Sequence, residues 1–157
     1  MDFTNLGALL FTYTGRVNRG RYWSAVVIYI LVMILLVAAG FIIVGNSLLE
    51  IGDDDASDIA AGLASKGIGY VLIVIAVYIP LVISGVMVGI KRLHDRDKSG
   101  LWLLVFYAGP TVLGMANLGT IGTLASFAVS IWGLVELGFL RGTAGPNKYG
   151  PDPIAAQ

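Results

Sequence analysis

Residues 25–45 read AVVIYILVMILLVAAGFIIVG, a run of 21 residues without a charge. About 20 apolar residues in helical form cross a hydrocarbon core of roughly 30 Å, so this run predicts a membrane-spanning helix. A secretory signal peptide is the competing reading. The 24 residues ahead of the run are too many for an ordinary n-region, the run exceeds an h-region, and further apolar stretches follow it. The composition agrees, since the 157 residues are 57% hydrophobic and 13% charged, with a mean hydropathy of +0.83, whereas soluble domains carry about 25% charged residues. A soluble domain of this size leaves roughly a third of its unfolded surface exposed, so water cannot be the main solvent of this chain.

Three more apolar stretches follow. Residues 67–90 hold no charge and are long enough to span with some tilt. Pro80 inside them is read as a feature of helix shape, since membrane helices tolerate proline where neighbouring groups satisfy the freed carbonyl. Gly85 and Gly89 form a GxxxG pair that permits close approach of another helix. Residues 101–117, with Pro110, are the weakest span and also fit a re-entrant segment; residues 118–140 are long enough and contain one acid, Glu136. A turn near Asn117 makes these two a tight hairpin. Phe3, Leu6, Leu10 and Tyr13 recur at near-helical spacing and predict a short interfacial helix before the first span. The expected fold is an all-α integral membrane protein, one membrane domain over residues 1–157 with four transmembrane helices.

Charge placement sets the expected orientation. Nine of the ten lysines and arginines fall before span one, between spans two and three (residues 91–100), or after span four (residues 141–157). Lys66 alone lies in residues 46–66, beside Glu50, Asp53, Asp54, Asp55 and Asp58. The positive-inside rule then predicts cytoplasmic amino and carboxyl termini and a periplasmic acidic loop. Were only one of the last two segments to span, Arg141 and Lys148 would be translocated, which the rule disfavours. Tyr22, Trp23, Tyr70 and Trp102 sit where interfacial aromatic anchors belong.

Several chemistries are excluded or weakened. A formal net charge of zero implies no nucleic-acid partner, and the absence of cysteine excludes disulfides and thiolate chemistry. The acidic loop places Asp53, Asp55 and Ser57 at calcium-like spacing, but Asp58 and Ala64 stand where an EF-hand needs glycine and glutamate. No metal site or cofactor is expected, because His94 has too few companion ligands.

Three polar clusters share the cytoplasmic interface. In the first, Arg16, Arg19 and Trp23 would share one face if the segment were helical, with arginine able to stack on the indole. In the second, Lys91 and Asp95, and Arg92 and Arg96, are i, i+4 pairs if span two continues. Guanidinium groups suit bidentate contact with phosphate or carboxylate, so Arg16, Arg19, Arg92, His94, Asp95 and Arg96, with Asn147 and Tyr149 from the tail, are candidate anion-binding residues. The alternative is topology signalling plus self-paired charges. Glu136, an acid within a span, should have a partner such as Arg16, Arg19 or Arg92, forming a structural intramembrane ion pair.

The clusters read Gly15, Arg16, Arg19, Tyr22 and Trp23; then Arg92, Leu93, His94, Asp95, Ser99, Gly100 and Trp102; then Gly145, Asn147, Tyr149, Gly150 and Pro153. Together they resemble the bacterial inner-membrane family termed domain of unknown function 805, whose pattern is GRxxRxxYW, RLHDxxxSGWW and a G-x-N-x-YG-x-x-P tail. Leu101 departs from it, standing where the family more often has tryptophan. The resemblance implies a small inner-membrane protein and supplies no reaction. The reading preferred from the sequence is a non-enzymatic helical module whose charged cluster locks helix ends and meets anionic lipids or a protein partner, a second copy included. The alternatives are a pocket for an anionic ligand, an enzyme using His94 or Asp95 as base, and a transporter using Glu136.

Overall fold

The computed structural model describes residues 6–49, 56–116 and 118–154. It contains a short helix α1 (Leu6–Phe11), two long helices α2 (Arg19–Leu49) and α3 (Ala56–Asp95), then α4 (Trp102–Met115) and α5 (Gly119–Leu134), the last continued by a π-helical turn at Val135–Phe139. No β-strand occurs among the described residues. Valine and isoleucine, common in these segments, favour strands in water. Hydrocarbon overrides that preference, because each backbone N–H and C=O must find its partner within its own segment.

The helices exceed the expected spans. α2 begins at Arg19 and runs to Leu49, and α3 begins at Ala56 and reaches Asp95. Much of the expected 46–66 loop and half of the expected 91–100 loop are therefore helical. At a rise of about 1.5 Å per residue, α3 is roughly 60 Å long, about twice the hydrocarbon thickness, so helix continues where its residues are polar. α3 runs through Pro80 without interruption. Among the described residues three helices are long and apolar enough to cross a membrane; α4 is shorter. Its 14 residues rise only about 21 Å. Phe3, Glu50, Asp53, Asp54, Asp55 and Asn117, and the side chains of Ser57 and Asp58, lie outside the described residues.

The chain divides into two units, residues 27–82 and residues 1–26 with 83–157. In the first, the Tyr70 hydroxyl donates to the Leu36 carbonyl at 2.6 Å. Its ring lies so close to Gly40 that a Cβ there would meet the hydroxyl oxygen at 2.7 Å. Ile30, Leu35, Phe41, Val71 and Leu72 are more than half exposed, a surface that bilayer lipid solvates and water does not.

In the second unit, Leu93, Leu103, Phe106 and Leu137 form the buried core, flanked by Tyr22, Ile90 and Trp102. Trp132 meets Trp102 and Phe106 edge-on at centroid distances of 5.4 and 5.2 Å. α4 and α5 approach through small residues, as expected where lipid gives no hydrophobic drive between helices. A Cβ on Gly133 would lie 3.0 Å from the Cβ of Phe106. The GxxxG pair is unequal: Leu103 packs onto Gly89, while Gly85 has no atom within 4 Å of a built Cβ.

This contrast gives a prediction. Gly133→Val forces two backbone-proximal carbons apart and should cost about 1–3 kcal/mol, whereas Gly85→Ala should leave stability unchanged. Thermal unfolding in detergent micelles distinguishes them, and equal midpoints for both variants would contradict the packing described.

Candidate functional site

A helix leaves its last four carbonyls without partners, and its C-terminus carries partial negative charge that favours cations. α5 ends in the π-helical turn, closed by the Leu140 N–H donating to the Val135 carbonyl at 3.1 Å. This end is buried at Glu136, Leu137 and Gly138, so water does not supply the missing donors. Side chains from α2, α3 and the turn just after α3 do. Arg92 Nε donates to the Leu137 carbonyl at 2.7 Å, Trp23 Nε1 to Gly138 at 2.9 Å and Arg19 Nη1 to Phe139 at 3.0 Å. Arg92 Nη2 donates to Leu140, and Arg96 Nη1 to Arg141 at 2.6 Å. Five consecutive carbonyls are thus capped by four side chains distant in sequence.

Asp95, the last residue of α3, organises the guanidinium groups. Its Oδ1 accepts from Arg16 Nε and Nη2 at 3.1 and 3.0 Å, and its Oδ2 accepts from Arg92 Nη1 at 2.5 Å. Arg92 is fully buried, and Arg16 and Asp95 nearly so. A buried ion costs several kcal/mol in desolvation unless its remaining donors and acceptors are satisfied. They are satisfied here: among the described residues no buried side-chain nitrogen or oxygen lacks a hydrogen-bond partner.

The segment after α5 closes over this node. Arg16 Nη2 donates to the Thr143 carbonyl at 2.6 Å, and Nη1 to the Gly145 and Gly150 carbonyls at 2.7 and 3.4 Å. Thr143 returns its N–H and hydroxyl to the Asp95 carbonyl at 2.8 and 3.1 Å. Asn147 Nδ2 donates to the His94 carbonyl and to Thr143 Oγ1, both at 2.9 Å. Gly145 and Gly150 hold φ values of 75° and 139°, conformations glycine adopts without penalty. Asp152 caps the turn, accepting from the Ile154 and Gly145 N–H groups. Those two bonds hold its carboxyl below the usual aspartate range. The contribution to folding is complete above the ordinary aspartate pKa and is lost as pH falls through the lowered value, so the turn persists at neutral pH.

All eight candidate ligand residues fall in this one cluster, each engaged with the chain itself. His94 stacks on Tyr149 with centroids 3.8 Å apart and rings 5° from parallel, and its Nδ1 lies 3.3 Å from the Gly15 carbonyl. Glu136 is paired, but with Arg96 at 3.0 Å and Lys98 at 2.9 Å, not with Arg16, Arg19 or Arg92. Those three are directed at Asp95 and at carbonyls. Arg16 precedes α2 rather than sharing its face with Arg19. Trp23 meets Tyr22 and Phe139 edge-on instead of lying under a guanidinium. Asp95 pairs with Arg92 at i−3, while Lys91 donates to the Leu9 carbonyl. No group of three or more metal-ligating side chains occurs among the described residues.

Sequence reasoning missed Lys98 as a partner of Glu136, Trp23 as a carbonyl donor, and Gly142, where a built Cβ would stand 2.0 Å from Asp95 Oδ2. Arg92→Ala should cost about 3–5 kcal/mol, since it leaves Asp95 Oδ2 without its cation and the buried Leu137 carbonyl without its donor. Gly142→Ala should cost about 1–3 kcal/mol by pushing on a carboxylate pinned between two guanidiniums. Chemical denaturation in mixed micelles reads both; a neutral Arg92→Ala would refute the capping role.

The chain is 27% identical over 150 residues to the uncharacterized protein YiiR of Escherichia coli K12, covering 91% of this chain and 86% of YiiR. It is 30% identical over 82 residues to the inner membrane protein YhaI of the same strain, covering 52% of this chain and 51% of YhaI. No solved structure matches it. The family model described as protein of unknown function DUF805 matches residues 10–151, the span that holds all three charged segments, and the chain belongs to that family.

Proposed function

We propose that this chain is a non-enzymatic inner-membrane module. Its buried arginine and carboxylate cluster locks the ends of α2, α3 and α5 together, and its surplus cations face anionic lipid head groups on the cytoplasmic side. One observation carries the reading: Arg92, fully buried, directs its donors at Leu137, Leu140, Val17 and Asp95 of its own chain. Giving those donors to an anion would uncap the end of α5.

The surplus supports the lipid-facing half. Residues 12–26 and 83–154 contain nine lysines and arginines against four acids, a net charge of +5. Arg19, Arg21 and Arg141 are exposed, and Lys148 Nζ lies 3.6 Å from Asp97 at the surface. Lysine and arginine near an anionic leaflet contribute about 1 kcal/mol each. Membership in DUF805 and the similarity to the inner membrane protein YhaI favour the inner membrane. The clustering of residues 16–23 and 141–152 with the 91–98 segment, read with the positive-inside rule, favours cytoplasmic termini.

Native mass spectrometry of gently extracted protein, paired with thermal unfolding, separates the readings. Arg21→Ala with Arg141→Ala should keep the unfolding midpoint and lose co-purifying anionic lipid, while Arg92→Ala should lower the midpoint. An unchanged midpoint in Arg92→Ala, with loss of one stoichiometric small anion, would overturn the proposal in favour of a ligand pocket.

A further inference from the structure

The contacts of Arg16 have an asymmetry that the locking role does not use. One edge of its guanidinium, Nε with Nη2, holds Asp95 Oδ1. The terminal nitrogens also receive three backbone oxygens from the tail, those of Thr143, Gly145 and Gly150. Several oxygens converging on one guanidinium are what a phosphate oxyanion presents, with the added attraction of its charge. The tail reaches this position through backbone carbonyls, two of them on glycines with positive φ. It brings no buried apolar anchor: among residues 143–154 none is buried, and Ile154 is 53% exposed. Beyond Arg16 the tail is held by the Tyr149 ring stacked on His94 and by hydrogen bonds of Thr143 and Asn147 to the Asp95 and His94 carbonyls, partly exposed contacts that opening of the tail gives up together.

We propose that Arg16 is a phosphate-oxyanion site closed by the chain's own tail. Residues 143–154 act as a latch whose carbonyls fill the site, and a phosphate oxyanion at the membrane surface displaces them. Asp95 does not bar the anion, because Arg92 shares its charge at 2.5 Å, and the surrounding excess of cations attracts one. The proposal rests on the locking reading for Arg92 and adds an opening motion confined to the tail. A ligand that binds only the open form shifts the latch by its preference for that form.

The chain contains no cysteine, so Ile154→Cys gives one spin-label position on the full-length protein. The labelled protein is placed in phosphatidylcholine vesicles, in vesicles containing phosphatidylglycerol, and in phosphatidylcholine vesicles with inorganic phosphate, all at matched ionic strength. The label should be more restricted in the first than with phosphatidylglycerol, which shifts it toward the mobile spectrum. A shift with inorganic phosphate but not with phosphatidylglycerol would uphold the site and assign a soluble ligand. Arg16→Gln should be mobile in every condition and insensitive to both anions. Should that variant fail to fold, Tyr149→Ala, which removes the His94 stack, should open at lower phosphatidylglycerol content than wild type. A spectrum unchanged across the three conditions, or an equal shift with sodium chloride alone, would overturn the latch. Either of those results alongside a destabilised Arg92→Ala leaves the locking reading standing.

Discussion

The carboxylate of Asp95, clasped between the guanidiniums of Arg16 and Arg92, is the constraint on which the charged end of this protein depends. Arg92 could not remain buried without it, since an arginine transferred from water must recover its lost hydration in hydrogen bonds and opposite charge. With Asp95 in place, the Arg92 donors are aimed at Leu137 and Leu140, and that aim fixes where α5 ends. Arg16, oriented by the same carboxylate, presents its terminal nitrogens to the tail. One acid thereby positions two arginines, one for a helix terminus and one for the chain's end.

The arrangement addresses a problem particular to membrane helices. A helix end near hydrocarbon exposes carbonyls that neither lipid nor distant water can satisfy. Here the end of α5 is both widened into a π turn and buried, which makes its carbonyls more dependent on side-chain donors. Capping by side chains of α2 and α3 means that α5 is completed only when the helices are together. Glu136, held by Arg96 and Lys98 from the segment after α3, ties the same end from the other direction. The acid of an apolar helix is here a fastening, consistent with its position one turn from the helix terminus.

The spans were legible in the sequence because hydrocarbon selects for uncharged length, and residues 25–45 and 67–90 have it. The eight charged and polar residues grouped from the motifs do meet, since each motif flanks an apolar run and the helix ends they flank pack together. Their partners were not legible. Backbone carbonyls leave no trace in residue type, so Trp23 looked like an interfacial anchor and Arg92 like an anion ligand. Helix ends were underestimated for a related reason: Ala56 to Lys66 and Lys91 to Asp95 are polar enough to end an apolar run, yet nothing in them breaks a helix. Gly142 carries no motif signal at all, because its role is to leave room for a carboxylate 47 residues away in sequence.

A double-mutant cycle across Arg16 and Asp95, using leucine at each and equilibrium unfolding in mixed micelles, tests the central claim most directly. The account predicts a coupling free energy near the upper part of the roughly 0.5–3 kcal/mol range found for contacting residues, with each single variant less stable than the pair. Additive effects, or single variants as stable as wild type, would contradict it and return these charges to topology signalling alone.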